Sequence, residues 1–219
     1  GLSGGIDSAV TAVMYADILG PENILLLNLP SRFNSAATRN SAQQLAQALG
    51  ANYAVMPISE SYELTVKQLE QTPITNLADG SSFNLQLSGL IKENIQARDR
   101  GARVIAAASA AFGGAFSCNS NKAELAIGYA TFYGDICGAM AMIGDLWKHQ
   151  VYALGRYLNE VIYKREVIPE AIFNIRPSAE LSDAQTVGNG GDPLVYAYHD
   201  YLLRAFIENW HKTTPADIL

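Results

Sequence analysis

The sequence has few of the residues that build disulfide frameworks and zinc sites. Only two cysteines, Cys118 and Cys137, occur among its 219 residues, and they do not stand at the spacing of zinc ligands. Three histidines, His149, His199 and His211, are scattered and form no ligand pattern. The composition therefore gives no sign of a disulfide-stabilised secreted domain or a zinc-centred fold, and we expect a reducing, cytoplasmic environment.

The sequence also lacks an excess of positive charge and a membrane-length apolar run. It carries 15 basic and 21 acidic residues, a net charge of −6, whereas a nucleic-acid binder needs a basic face for the phosphate backbone. The most apolar stretch, VIAAASAAFGGAFSC at 104–118, is too short to span a bilayer, and two glycines interrupt it. We therefore expect neither a nucleic acid nor a membrane as partner, although a local basic pocket for a nucleotide is compatible with this charge.

Apolar residues make up 49% of the chain and charged residues 16%, which allows a sizeable core. Ile6, Val10 and Val13 recur at helical spacing, and the apolar run NILLLNLP at 23–30 has the length of a strand covered on both faces. Further helices are predicted at 35–49, 59–71, 84–111, 121–127, 149–163 and from 194, strands at 52–58 and 115–118, and loops at 73–82 and 174–193.

This alternation of helix and strand predicts an α/β fold, a doubly wound parallel sheet with helices on both faces. We expect one domain over 1–219. Ligands of such sheets bind at the carboxyl ends of the strands.

The segment LSGGIDS at 2–8 is the first candidate site. Its glycines allow a tight turn in which successive N–H groups face one concavity, and the helix that follows offers its N-terminus to an anion. The two common nucleotide signatures, G-x-x-x-x-G-K-[ST] and G-x-G-x-x-G, are absent. An acid, Asp7, replaces the expected lysine and suits Mg²⁺ that bridges phosphates. The alternative interpretation is a helix-capping turn with Asp7 in the first turn.

LSGGIDSA resembles the phosphate loop of the N-type ATP pyrophosphatases (PP-loop enzymes), which split ATP into AMP and pyrophosphate while they adenylylate an acid or amide oxygen. Three later segments, NIQAR at 94–98, SCNSNKAELAIGYATFYGD at 117–135 and RPSAEL at 176–181, follow in order. Together they are similar to the NAD synthetases. Their sequences most resemble the synthetase domain of the glutamine-dependent, two-domain form. The resemblance runs over nearly the whole chain and implies an adenine nucleotide alpha hydrolase-like fold.

The resemblance implies that ATP adenylylates the nicotinate carboxylate of deamido-NAD, with Mg²⁺ as cofactor, and that ammonia then displaces AMP to give NAD. Neither cysteine lies in a nucleophile context, so no glutaminase machinery is visible. A Cys–Glu–Lys glutaminase domain would lie upstream in a longer parent chain, and we expect this chain to use free ammonia. The glycine motif opens the chain without a preceding strand, so we also expect a fragment that lacks the first strand.

The resemblance assigns roles to individual residues. Asp7 and Glu124 would bind Mg²⁺ and, with Lys148, would form the catalytic set; without the family, Glu124 would be interpreted as a solvated helix residue and Lys148 as a surface lysine. The implied ATP contacts are Ser3, Gly4, Gly5, Asp7, Ser8, Asn119, Lys148 and Ser178. The implied deamido-NAD contacts are Asn94, Arg98, Glu124, Tyr129, Thr131, Phe132 and Asp135.

Two departures from the family pattern concern the ATP site. The segment CNSNKAE stands where many relatives carry Thr-Gly before the Asn-Lys pair, which affects the contact through Asn119. His149 follows Lys148 where a threonine is usual, so it would either weaken one phosphate contact or replace it.

Two other functions stay open from the residues alone. A tRNA-modifying adenylyltransferase of the PP-loop group would need a basic face, which the net charge of −6 disfavours. A non-catalytic nucleotide-binding module is disfavoured because Asp7, Glu124 and Lys148 are all retained. By resemblance we also expect a homodimer that uses helix 84–111, whose small residues AAASAA at 106–111 suit close helix approach and would equally suit an intrachain contact.

Overall fold

A computed structural model describes residues 1–185 and 191–209. The helices are α1 (Ile6–Leu19), α2 (Ala36–Leu49), α3 (Ser59–Gln71), α4 (Gly89–Arg98), α5 (Ala106–Phe112), α6 (Lys122–Ile127), α7 (Lys148–Tyr157), α8 (Glu170–Asn174) and α9 (Tyr196–Glu208). The strands are β1 (Leu25–Asn28), β2 (Asn52–Val55), β3 (Ile74–Thr75), β4 (Ser82–Phe83), β5 (Ser117–Cys118) and β6 (Met140–Ala141). Two π-helical segments, Asp99–Ile105 and Leu158–Ile162, continue α4 into α5 and extend α7.

Two parallel strand pairs form the sheet elements around the start of the chain. Strand β1 pairs with β2, from Leu25 opposite Asn52 to Asn28 opposite Val55, and β5 pairs with β6. Leu2 lies beside β1, because its N–H donates to the Leu27 carbonyl over 2.7 Å. The first residues therefore run next to β1, and α1 begins directly after them at Ile6.

Helix α1 lies in the main core. Its residues Ile6, Ala9, Val10 and Val13 are buried, and they belong to the same apolar cluster as Val151 of α7 and the buried residues of α2. Because α1 is apolar around most of its circumference, the surrounding elements cover it on most sides. This packing gives the glycine motif, which immediately precedes α1, a rigid support.

Most of the predicted elements are confirmed, and the differences have local causes. The long helix begins at Gly89 and not at 84, because Ser88 caps it by accepting a hydrogen bond from the Ile91 N–H over 3.3 Å. The predicted loop 73–82 includes β3 and the first residue of β4, which form a short antiparallel pair. Strand β2 ends at Val55, shortly before Pro57.

The region 174–193 is mostly loop as predicted, with a 3₁₀ turn at Asp183–Gln185, and its residues 186–190 lie outside the described part of the chain. In the parts described, no helix has both the length and the apolar character needed to cross a bilayer.

Candidate active site

The glycine motif forms a closed loop at the start of α1. The Ser8 hydroxyl accepts from the Ser3 N–H over 3.2 Å and donates to the Gly5 carbonyl over 3.0 Å. Gly4 has φ +94°, and a Cβ built there would lie 2.0 Å from the carbonyl oxygen of Thr38 in α2. The loop thus needs glycine at this position, and it presents its backbone next to the N-terminus of α1, where an anion is stabilised.

Three segments bring charged side chains together beside this loop. Lys148 is the first residue of α7, and its Nζ lies 2.5 Å from Asp7 Oδ2 and 3.5 Å from Glu124 Oε1. Asn121 caps α6 and donates its side-chain N–H to Asp7 Oδ1 over 3.0 Å. The Lys148 side chain is only 4% exposed. Interpretation as a surface lysine is therefore wrong, and the cluster holds the lysine in place by opposite charge.

Burial and neighbouring charge set the protonation of the cluster. Burial lowers the pKa of Lys148, but the attraction of Asp7 and Glu124 outweighs it, so the pKa ends above its usual value. For Glu124, burial and then the negative charge of Asp7 raise the pKa to about 7, against the pull of Lys148. The cluster therefore combines a lysine whose pKa is raised with two carboxyl groups, and this arrangement favours a further cation.

A cavity of about 300 Å³ opens onto the loop and the cluster. It lies at the carboxyl ends of β1 and β5, where Asn28 and Asn119 line it, in agreement with the general position of ligand sites in parallel sheets. The predicted site residues that line it are Ser3, Gly5, Asp7, Ser8, Asn119, Glu124, Tyr129, Asp135, Lys148 and Ser178.

The other predicted substrate residues form a group next to this cavity. Thr131 donates its hydroxyl to Asn94 Oδ1 over 2.7 Å, so the loop after α6 is tied to α4. Arg98 Nε donates to the Phe132 carbonyl over 3.2 Å, and the Phe132 side chain is exposed. Asp135 links the group to the cavity, because it lines the cavity and accepts from the Thr131 N–H.

The two departures from the family pattern occupy different places. Asn119 lines the cavity and donates its side-chain N–H to the Gly1 carbonyl over 2.9 Å. His149 is not among the lining residues; its Nδ1 lies 2.9 Å from Oδ2 of the buried Asp200 in α9. The imidazole thus joins α7 to α9.

Asp192 and Tyr196 belong to the charged cluster but do not figure among the site residues predicted from sequence. The Tyr196 hydroxyl donates to Asp192 over 2.9 Å and contacts Glu124 over 3.3 Å. The Tyr196 ring lies 4.6 Å from Lys148 Nζ, a cation–π contact. Burial, and next the negative charge of Glu124, raise the pKa of Tyr196, so the hydroxyl stays a donor. The contacts of Tyr196 with Glu124 and Lys148 cannot be predicted from the residues around it, because they depend on how α9 packs.

Comparison with known proteins finds one family over almost the whole chain. The family model described as NAD synthase matches residues 1–218. A glutamine-dependent NAD(+) synthetase from Xanthomonas campestris is 39% identical over 186 residues, 85% of this chain. This chain covers 32% of that relative, so it spans about a third of the relative's length.

Two solved structures are similar in fold and sequence. A glutamine-dependent NAD+ synthetase from Acinetobacter baumannii, in complex with ADP, matches with a TM-score of 0.69 and 28% identity over 99% of this chain and 35% of that chain. An NMN synthetase from Francisella tularensis matches with a TM-score of 0.74 and 26% identity over 99% of this chain and 78% of that chain. These similarities confirm the α/β fold class predicted from the sequence.

Proposed function

Because the chain belongs to the NAD synthase family, we propose that it catalyses the ATP-dependent amidation of deamido-NAD to NAD. The observation that carries this proposal is the buried cluster of Lys148, Asp7 and Glu124 beside the glycine loop, inside one cavity. A helix-capping turn alone would not require a buried lysine between two acids. The family match also favours this function over a tRNA-modifying enzyme or a non-catalytic module.

The loop and Lys148 would bind the ATP phosphates. In the first step the nicotinate carboxylate attacks the α-phosphate and pyrophosphate leaves; in the second, ammonia attacks the acyl carbon and AMP leaves. The substrate carboxylate is itself the nucleophile, so the protein has to position the two substrates and stabilise the charge that develops on the phosphates. The Lys148 ammonium and the N-terminus of α1 are suited to this, because both lie at the cavity and favour negative charge.

Asp7 and Glu124 would hold Mg²⁺. Their carboxylates are the hard oxygen ligands that Mg²⁺ takes, and in nucleotide sites one or two carboxylates share the ion with substrate phosphates. The described residues contain no group of three acidic, histidine or cysteine ligands able to hold a metal. The pair therefore fits an ion that arrives with ATP, and the bound ion would neutralise part of the phosphate charge.

Deamido-NAD would bind where α4 meets the loop after α6. Asn94, Arg98, Thr131 and Phe132 lie together there, and Asp135 extends the group into the ATP cavity. This continuity would allow the nicotinate carboxylate to reach the α-phosphate.

Ammonia would be the nitrogen donor of this domain. The curated relative is named glutamine-dependent and is much longer, so we propose that a glutaminase domain upstream in the parent chain releases the ammonia. Cys118 and Cys137 donate to the carbonyls of Asp135 and Gly134, which is not the environment of a nucleophile paired with a base. We place the reaction in the cytoplasm.

Two copies would associate through α4 and α5. Leu90 and Ile91 of α4 are 66% and 40% exposed, and Phe112 at the end of α5 is 45% exposed. Apolar side chains of this size, exposed along one helical segment, fit an interface between copies.

Pyrophosphate release tests the proposal. We expect release by the 219-residue chain only when ATP, Mg²⁺, deamido-NAD and ammonium are all present, and no release with glutamine in place of ammonium. Nicotinate mononucleotide should be tested in parallel, because one similar structure is an NMN synthetase. If pyrophosphate is released with nicotinate mononucleotide but not with deamido-NAD, the mononucleotide replaces deamido-NAD as the proposed substrate. Release with neither would contradict the proposal.

Asp7→Ala should lower the turnover number at least about 100-fold while the circular dichroism spectrum stays that of the wild type, because one carboxylate that would hold the phosphate-bound Mg²⁺ is lost. Asp17→Ala, at an exposed position of the same helix, is the matched control and should keep full turnover. Equal rates for the two variants would exclude Asp7 from the reaction.

A further inference from the structure

Glu180 is a buried carboxylate outside the catalytic cluster. It is 4% exposed and has φ +48°, a left-handed conformation that is unfavourable for a residue with a Cβ. Such a conformation persists only where the surrounding contacts determine it. The contacts of Glu180 therefore indicate what the conformation serves.

Within the described residues, the Glu180 carboxylate accepts three hydrogen bonds, and all come from the start of α2. Oε1 accepts from the Ser35 N–H over 3.2 Å, and Oε2 accepts from Asn34 Nδ2 over 3.1 Å and from the Thr38 hydroxyl over 3.0 Å. Ser35 is the residue that caps α2. A negative charge is favourable at this end of a helix, so the carboxylate fixes both the cap and the first turn.

Asn34 connects the Glu180 carboxylate to a buried cation. Its Oδ1 accepts from Arg100 Nη2 over 3.2 Å, and Arg100 Nε also donates to the Leu29 carbonyl over 2.9 Å. Burial lowers the pKa of Arg100 to about 10, while Asp99 and then Glu180 oppose the shift. Glu180 is therefore one of the negative charges that compensate the buried Arg100, beside Asp99 and Asp135.

The first turn of α2 is in turn packed on the phosphate loop. Thr38 both donates its hydroxyl to Glu180 and places its carbonyl oxygen against Gly4, 2.0 Å from the position of a Cβ there. On the other side of Glu180, Ser178 and Ala179 line the cavity, and Gln96 Nε2 holds the Leu181 carbonyl over 2.7 Å. Glu180 thus joins one wall of the cavity to the loop that would bind phosphate.

We propose that Glu180 is a positioning residue for ATP, which holds the first turn of α2 against the phosphate loop. The inference rests on the proposed function only in taking ATP as the ligand of that loop. Glu180 acts on the phosphate loop through Thr38 of α2, so its loss should weaken ATP binding and leave the binding of deamido-NAD unchanged. A residue that only stabilised the fold would instead reduce the amount of active protein without changing either affinity.

Calorimetric titration of Glu180→Gln with ATP and Mg²⁺ tests this. The substitution keeps the size of the side chain and removes its charge, and we expect the dissociation constant for ATP to rise about tenfold, within the usual range of coupling between sites. The dissociation constant for deamido-NAD should stay within about twofold of the wild-type value, below the same range. Glu63→Gln makes the same chemical change at an exposed position of α3 and should leave both constants unchanged.

The stoichiometry of the titration reports the folded fraction separately from the affinity. If Glu180→Gln does not fold, Thr38→Val removes one of the three hydrogen bonds and should raise the dissociation constant for ATP about threefold, the effect of a single net hydrogen bond. If the folded variant binds ATP as tightly as the wild type, the proposed role of Glu180 is overturned and the proposed ATP site is not. No ATP binding by the wild-type chain would overturn the proposed ATP site, and this inference with it.

Discussion

Lys148 shows how a single residue depends on its neighbours here. A buried lysine without partners would lose its proton readily, whereas Asp7 and Glu124 keep it charged. The same contacts hold both carboxylates at one end of the glycine loop. At the scale of residues, the site is thus a set of mutually dependent charges, and the backbone of the glycine loop has to fit closely around it.

Gly4→Ala is expected to destabilise the protein by about 3 kcal/mol, because a methyl group would be added both at positive φ and against the Thr38 carbonyl. Gly50→Ala is the matched control: Gly50 also has positive φ, but no atom lies within 4 Å of its Cβ position. It should cost only about 1 kcal/mol. Urea unfolding measures the free energy of unfolding of both variants. Equal losses of stability would show that the contact between Gly4 and α2 contributes nothing.

At the scale of elements, the π-helical segment between α4 and α5 joins the predicted substrate residues to the loop after α6. Gly101 lies in this segment, and a Cβ there would be 1.9 Å from the Gly134 carbonyl oxygen. Segments of this kind are frequent at functional sites. The contact places the helix directly against the residue before Asp135.

Gly101→Ala should push this loop away from the helix and raise the Michaelis constant for deamido-NAD about tenfold or more, since misplaced substrate contacts are costly. The Michaelis constant for ATP should change little, because the phosphate loop is on another segment. Gly89→Ala, in the first turn of α4 with open space around its Cβ position, is the control. A parallel rise for both substrates would indicate general disruption of the fold.

Helix α9 is attached through a carboxylate at its end. Glu208 accepts from Trp147 Nε1 over 2.7 Å and from Lys122 Nζ over 3.1 Å, and these donors lower its pKa to about 2. A lowered pKa means that the ionised carboxylate stabilises the folded state above its ordinary value of 4.5, and that this stabilisation disappears as the pH falls towards 2.

The wild type should therefore be more stable than Glu208→Gln above pH 4.5, and the difference should vanish as the pH falls to about 2. Chemical unfolding of both proteins across this range measures it. Arg204→Gln, which removes the pair between Arg204 and Glu208 but keeps the carboxylate, is the control and should retain most of the difference. A difference that does not depend on pH would mean that the Glu208 charge is not involved.

At the scale of the whole molecule, the exposed apolar side chains of α4 lead us to expect a homodimer. Light scattering should give the mass of a homodimer for the wild-type chain. Leu90→Asp should give a monomer, since it buries a charge in the proposed interface. Leu77→Asp, at a position 95% exposed in a loop, should stay dimeric. A monomeric wild type would contradict the proposed association.

Much of the candidate site is predictable from local sequence, and the reason differs between its parts. The glycine loop and Asp7 follow from backbone requirements within one short segment. The assignment of Glu124 and Lys148 to the site depended on the resemblance, because each residue by itself is compatible with an exposed position on a helix. Asp192, Tyr196 and Glu180 were not predicted. They contact Tyr129, Glu124 and Asn34 respectively, which are remote in the chain, so only packing brings them close.

The sequence by itself determined the alternation of helix and strand, the glycine loop and the family, because these depend on periodicity and on residue types at short spacing. Only the tertiary structure decided that Lys148 is buried between two acids, that His149 binds Asp200, and that Glu180 reaches the start of α2. The physical reason is that burial and charge compensation arise between segments far apart in the chain. No local pattern records such distances.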